Sequence, residues 1–120
     1  MRTLHFAALL PLLMFTAQPT AARAQDVQAT TLSTVQNASY ARAVQSFREQ
    51  RYSAAYGRFA QLADAGHAPS AQLALVMYRN GPTLFGSNWS ATPGQQWRWN
   101  ALVFDRARSR IDFADNEHGD

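Results

Sequence analysis

The residues able to do chemistry are few in this 120-residue chain, and their spacing keeps them apart. His67 follows Gly66 at what reads as a turn, and His118 lies close to the C-terminus. A zinc site takes three or four grouped ligands, and beyond residue 24 there is no Glu-x-x-His or His-x-x-x-His spacing. Glu49 and Glu117 are the only glutamates. A paired-carboxylate hydrolase site would have to draw on Asp64, Asp105, Asp112 and Asp115, which fall near helix ends or on the solvent side of the last helix. With no cysteine there is neither a thiolate nucleophile nor a disulfide. No catalytic residue, metal ligand or cofactor site is expected.

Recognition chemistry is better represented. Arg106, Arg108 and Arg110 form a basic run, of which only Arg106 and Arg110 share a helix face. Arg108 can pair with Asp105 and Asp112, and the run reads as cations complementing a helix C-terminus. Three tryptophans, Trp89, Trp97 and Trp99, lie within eleven positions. Trp97 fits an apolar stripe, whereas Trp99 points about 200° away around the same helix, so both cannot face one core. Trp89 falls in a loop, either exposed or folded back as a lid. Exposed Trp and Arg are the usual material of binding hot spots. Trp89, Trp99, Arg58, Arg79 and Arg98 are therefore the candidate partner-binding residues.

Four helices must position these side chains. Residues 25–37 are polar and threonine-rich without a clear period, and read as a loose lead-in. Tyr40, Val44 and Phe47 then recur on one helical face, which predicts a helix over about 38–50 capped by Asn37 or Ser39. After a break near Gln50-Arg51, Ser53 is placed to cap a second helix over about 54–65, with Ala55, Phe59 and Leu62 inward and Gly66 as its left-handed close. A third helix opens at Pro69, carries Ala71, Leu75 and Tyr78, and stops at Gly81-Pro82. Thr92 and Pro93 start a fourth, with the stripe Trp97, Ala101, Phe104 and Ile111. Residues 113–120 read as a frayed acidic tail. No segment alternates with period two, so the expected fold is all-α: two stacked antiparallel helical hairpins over 38–112.

The N-terminus reads as an export signal. Arg2 precedes the apolar run Leu4 to Ala17, and Ala22-Arg23-Ala24 offers small residues for cleavage before Gln25. The run is shorter than the ~20 residues of a membrane span and contains Pro11, so a stable anchor is not expected. Loss of residues 1–24 takes Arg2 and Arg23 from the 11 basic residues. That leaves 9 against 8 acidic ones, a net charge of +1 in place of +3. Nucleic-acid binding, which wants a basic patch, is disfavoured. Every basic residue is arginine, a usage that fits a GC-rich bacterial genome and hence a periplasmic or secreted location.

Residues 55–68, Ala-Tyr-Gly-Arg-Phe-Ala-Gln-Leu-Ala-Asp-Ala-Gly-His-Ala, resemble the end of a Sel-one-like repeat, a branch of the tetratricopeptide superfamily. Met77-Tyr78-Arg79-Asn80-Gly81 resembles that family's aromatic-x-x-Gly close of a first helix, and Trp99 stands for the tryptophan of the next. Leu75 replaces a usual glycine, Gln96 a usual alanine, and the loop after Gly81 is longer than the family's. The resemblance spans about residues 40–105, with Ala55, Phe59, Leu62, Gly66, Leu75, Tyr78 and Gly81 as its structural positions. It implies a tetratricopeptide-like α/α repeat, a module that binds a protein or peptide; aromatic anchors are expected to supply affinity, with Arg58, Arg79 or Arg98 orienting an acidic group. The alternatives are a peptidoglycan hydrolase or its accessory, and a structural subunit that folds as a homo-oligomer.

Overall fold

A computed structural model of the chain describes residues 20–117, with side chains placed for residues 23–114. The apolar run Leu4 to Ala17, read from the sequence as part of an export signal, lies outside the described residues. Within them the chain is helical without strands: α1 (Thr20–Arg48), α2 (Tyr52–Asp64), α3 (Ala68–Asn80), a π-helical turn (Gly81–Phe85) and α4 (Pro93–Glu117). α1 packs on α2, α2 on α3 and α3 on α4, and α4 also reaches back to α2.

The helix breaks follow from local backbone chemistry. At the end of α1 the Arg51 N–H donates to the Ser46 carbonyl at 2.9 Å, and the Gln50 N–H to Phe47 at 3.0 Å. At the end of α2 the His67 N–H reaches the Leu62 carbonyl at 2.9 Å, and the Gly66 N–H reaches Ala63 at 3.0 Å. Both are Schellman closures, which need a left-handed residue. Gly66 supplies it at φ 90° in the second, and Gln50 at φ 61° in the first. α3 ends before Gly81 for a different reason. Gly81 is right-handed (φ −50°), but a Cβ there would lie 2.3 Å from the Ser87 carbonyl oxygen, so the returning loop requires a glycine.

Several expected starts are corrected. The lead-in 25–37 is helix: α1 runs unbroken through it, without a cap at Asn37 or Ser39. Its threonines satisfy themselves inside the helix, the Thr30, Thr31 and Thr34 hydroxyls each donating to the carbonyl four residues back at 2.8–2.9 Å. Ser53 does not cap α2, which begins at Tyr52 behind Arg51 with no side-chain cap. Its hydroxyl instead accepts the Trp89 indole N–H at 3.3 Å. At the other end, α4 continues through residues expected in the frayed tail.

The core is small residues wedged between a few large ones: Ala43 and Ser46 from α1, Ala55, Phe59 and Ala63 from α2, Ala71, Ala74, Leu75 and Met77 from α3, and Trp99 from α4. Phe59 and Trp99 are fully buried. Alanines at these contacts let the helix backbones approach closely, so that a small helical body can cover its large side chains. Tyr40, Val44 and Phe47 pack on this core from α1 as their spacing predicts, and so does Tyr78 from α3. Val76, off the Ala71-Leu75-Tyr78 stripe of α3, is exposed.

Candidate interaction surface

The face of α4 that meets the body is the reverse of the expected one. Trp97, Phe104 and Ile111 are 74%, 62% and 61% exposed, while Trp99 is completely buried. Both apolar stripes exist on this helix, and the hydrogen bonds show why the Trp99 side turns in. The Trp99 indole N–H donates to Asp64 Oδ1 at 2.9 Å, and Gln95 Nε2 donates to Asp64 Oδ2 at 3.0 Å. Gln96 Nε2 donates to the Tyr78 hydroxyl and to the Ala91 carbonyl at 3.1 and 3.0 Å. Gln95, Gln96 and Trp99 share one side of the helix, and each finds its acceptor on the body or its loop. Trp97 offers the same indole N–H on a side where no such acceptor stands.

Trp89 is not a free anchor either. Its ring stacks on Tyr56 with centroids 5.1 Å apart and 16° between planes, and it also touches Phe85 at 5.7 Å. Phe85 in turn meets Phe47 and Tyr52, so the loop 86–92 is folded onto an aromatic cluster as a lid. The Tyr56 hydroxyl donates to the Ser90 carbonyl at 2.8 Å and ties the lid down. Burial pushes the Tyr56 phenol above its usual range, with Tyr78 and Asp64 adding to the effect.

The three candidate arginines hold intramolecular partners. Arg58 Nη1 donates to the buried Ser46 hydroxyl at 2.8 Å, bridging α2 to α1. Arg79 Nη2 donates to Asn100 Oδ1 at 2.8 Å, bridging α3 to α4. Arg98 pairs with Asp64 at 3.7 Å. Arg58 also joins Arg42, Ser39, Gln61 and Leu62 around a cavity of 310 Å³ between α1 and α2. The basic run behaves differently from expectation. Arg108 lies 5.1 Å from the centroid of the Phe104 ring. Among the described residues the ion pairs are Arg51–Glu49 and Arg98–Asp64, and neither involves Asp105 or Asp112. His67 sits at the start of α3, with Nδ1 2.7 Å from the Ser70 hydroxyl and its ring 5.2 Å from that of Tyr40. Burial, reinforced by the Arg106 charge, holds its pKa below the usual value.

Among the described residues no three His, Asp or Glu side chains are grouped to hold a metal ion. Asp64 and Asp105 line one groove beside α4 with Gly66, Trp97, Arg98 and Ala101. Both Asp64 oxygens already accept hydrogen bonds from the fold, a structural role that ties α2 to α4. What remains as surface chemistry is the outer side of α4. Trp97, Ala101 and Phe104 border a shallow groove there with Asn100 and Ala107, and Ile111 continues the stripe. Sequence periodicity found this stripe and assigned it to the core, because periodicity reports that a face is apolar and not what covers it.

No protein-family model matches the chain, and no curated protein or solved structure is similar to it at a significant level. No described helix is long and apolar enough to cross a membrane.

Proposed function

We propose that this chain is an exported, non-enzymatic protein-interaction module of the cell envelope, and that the outer face of α4 is its binding surface. The observation that carries this reading is the exposed row Trp97, Phe104 and Ile111 on a helix whose opposite side is fixed by Trp99. Contiguous exposed apolar surface on a rigid element marks a contact site, and a Trp held on a helix loses little freedom when covered. Arg98 and Arg108 flank the row and supply cations at its rim, where an acidic group on a partner would be oriented. In this reading the four helices form two stacked antiparallel hairpins of the tetratricopeptide-like kind. The short α2–α3 connection and the order of packing support that arrangement, as do the residues resembling Sel-one-like repeats. Export rests on the sequence of residues 1–25; cleavage before Gln25 would start the mature chain inside α1.

The test is photo-crosslinking from a reactive residue placed at Ala101, in the middle of the row, within the envelope or culture medium of the producing cell. Adducts are expected, together with a mature mass beginning at Gln25, and Trp97→Asp should abolish the adducts while leaving helicity intact. No adduct of any kind, with itself or another protein, overturns the reading. Digestion of purified cell wall by the protein would favour the enzymatic alternative.

A further inference from the structure

The exposed row on α4 has a second row beside it, and the two differ in size. Trp97, Phe104 and Ile111 are spaced seven apart. Three positions after each stand Asn100, Ala107 and Ala114, so the helix presents the two rows of a heptad seam, one bulky and one small. Parallel pairing of two such helices would stack bulky on bulky and small on small, leaving crowded layers next to voids. Antiparallel pairing sets each row against the other. In one register Trp97 faces Ala114 of a second copy, Phe104 faces Ala107, and Ile111 faces Asn100, all three at once. Large-against-small layers are what dense packing needs.

We infer that the occupant of this surface is a second copy of the chain, seated α4 against α4, antiparallel about a two-fold axis that passes between Asp105 and Arg106. The inference rests on the proposed role of α4 as the binding face. A two-fold interface must be self-complementary, each contact occurring twice, and the size pattern of the rows meets that condition without a further partner. The flanking charges agree with it. In the same register Arg108 lies across from Val103 of the second copy, Arg110 across from Ala101, and Arg106 across from Asp105, so no like charges are opposed. The body packs on the other side of α4, through Trp99 and Leu102; at the edge of the seam Asn100 is held by Arg79, while Trp97, Phe104 and Ile111 stay exposed. Three large side chains per copy, at about 150 Å² each, give roughly 900 Å² over both copies, below the ~1,200 Å² of a stable interface and in the range of weak, transient ones. The dimer is therefore weak and reversible.

Sedimentation velocity on the purified protein, from low micromolar to sub-millimolar concentration, is expected to show a reversible monomer–dimer equilibrium. Phe104→Asp should weaken it about tenfold or more. The diagnostic variant is Ala107→Leu, which fills the small row. It should weaken the dimer if bulky and small rows interdigitate, and strengthen it if the face is merely adhesive. Because the chain has no cysteine, Phe104→Cys and Ala107→Cys can be oxidised separately and mixed. Disulfide dimers in the mixture, and few in either alone, support the antiparallel register. Equal cross-linking of each variant with itself, a stronger dimer from Ala107→Leu, or a monomer at every concentration overturns it. If the protein is monomeric while crosslinking from position 101 still yields adducts with another protein, self-pairing fails and the binding face stands; if both are absent, both fail.

Discussion

The Trp99 indole N–H donates to Asp64 Oδ1 across 2.9 Å, joining a fully buried ring on α4 to the last residue of α2. The bond spans thirty-five positions of sequence and determines which side of α4 is inside. A buried indole donor without an acceptor is costly, so the helix cannot be rotated to bury Trp97 without losing this pairing.

Trp99→Phe and Asp64→Ala are each expected to cost about 1–3 kcal/mol, through a lost hydrogen bond, a small cavity or an orphaned donor. The two should not add: a double-mutant cycle is expected to give a coupling of about 0.5 kcal/mol or more. Urea unfolding of the four proteins, followed by circular dichroism, measures it. Additive losses would mean that the contact does not hold α4 in place.

Gln50 and Gly66 close two helices in the same way with unequal comfort. Gln50→Gly is expected to stabilise the fold by about 1 kcal/mol, since a side chain in the left-handed region is strained and glycine is not. Gly66→Ala should destabilise it by a similar amount. No atom lies within 4 Å of a Cβ built at Gly66, so the cost is one of backbone conformation rather than crowding. Thermal unfolding of both variants tests the pair.

α4 starts on a reciprocal cap. Thr92 Oγ1 accepts the Gln95 N–H at 3.1 Å, and Gln95 Oε1 accepts the Thr92 N–H at 2.9 Å. Thr92→Ala is expected to cost about 1 kcal/mol, and Thr92→Ser to recover most of it. Amide exchange at residues 94–96 should accelerate in the alanine variant alone.

His67 gives the fold a pH dependence of definite sign. Burial lowers its folded pKa beneath the ordinary 6.5, with Arg106 acting in the same direction. The unfolded chain therefore binds the proton first as pH falls. Stability from this group is complete above pH 6.5, declines below it, and levels off once pH has passed the folded pKa. Urea midpoints across this window should show the decline in the wild type and a flatter profile in His67→Gln. An NMR titration placing the His67 ring above 6.5 would contradict it.

The chain punctuation was legible because it is local. Gly66, the break at Gln50-Arg51, the stop before Gly81-Pro82 and the Thr92-Pro93 start each depend on a few neighbouring residues, and each marks a boundary close to where it was read. The inward faces of α2 and α3 were legible too, since each carries one dominant apolar stripe through Phe59 and Leu75. The continuation of α1 over 25–37 was hidden by threonines that favour other conformations in isolation and here bond back along the helix.

Sequence alone determined that the chain is helical and where its helices break, because capping and periodicity are written within a turn or two of backbone. Tertiary structure alone decided that Trp99 is core, Trp89 a lid and Trp97 surface. Those three rings are chemically alike, and what separates them is a carboxylate on another helix, a tyrosine face beneath a loop and, for Trp97, neither.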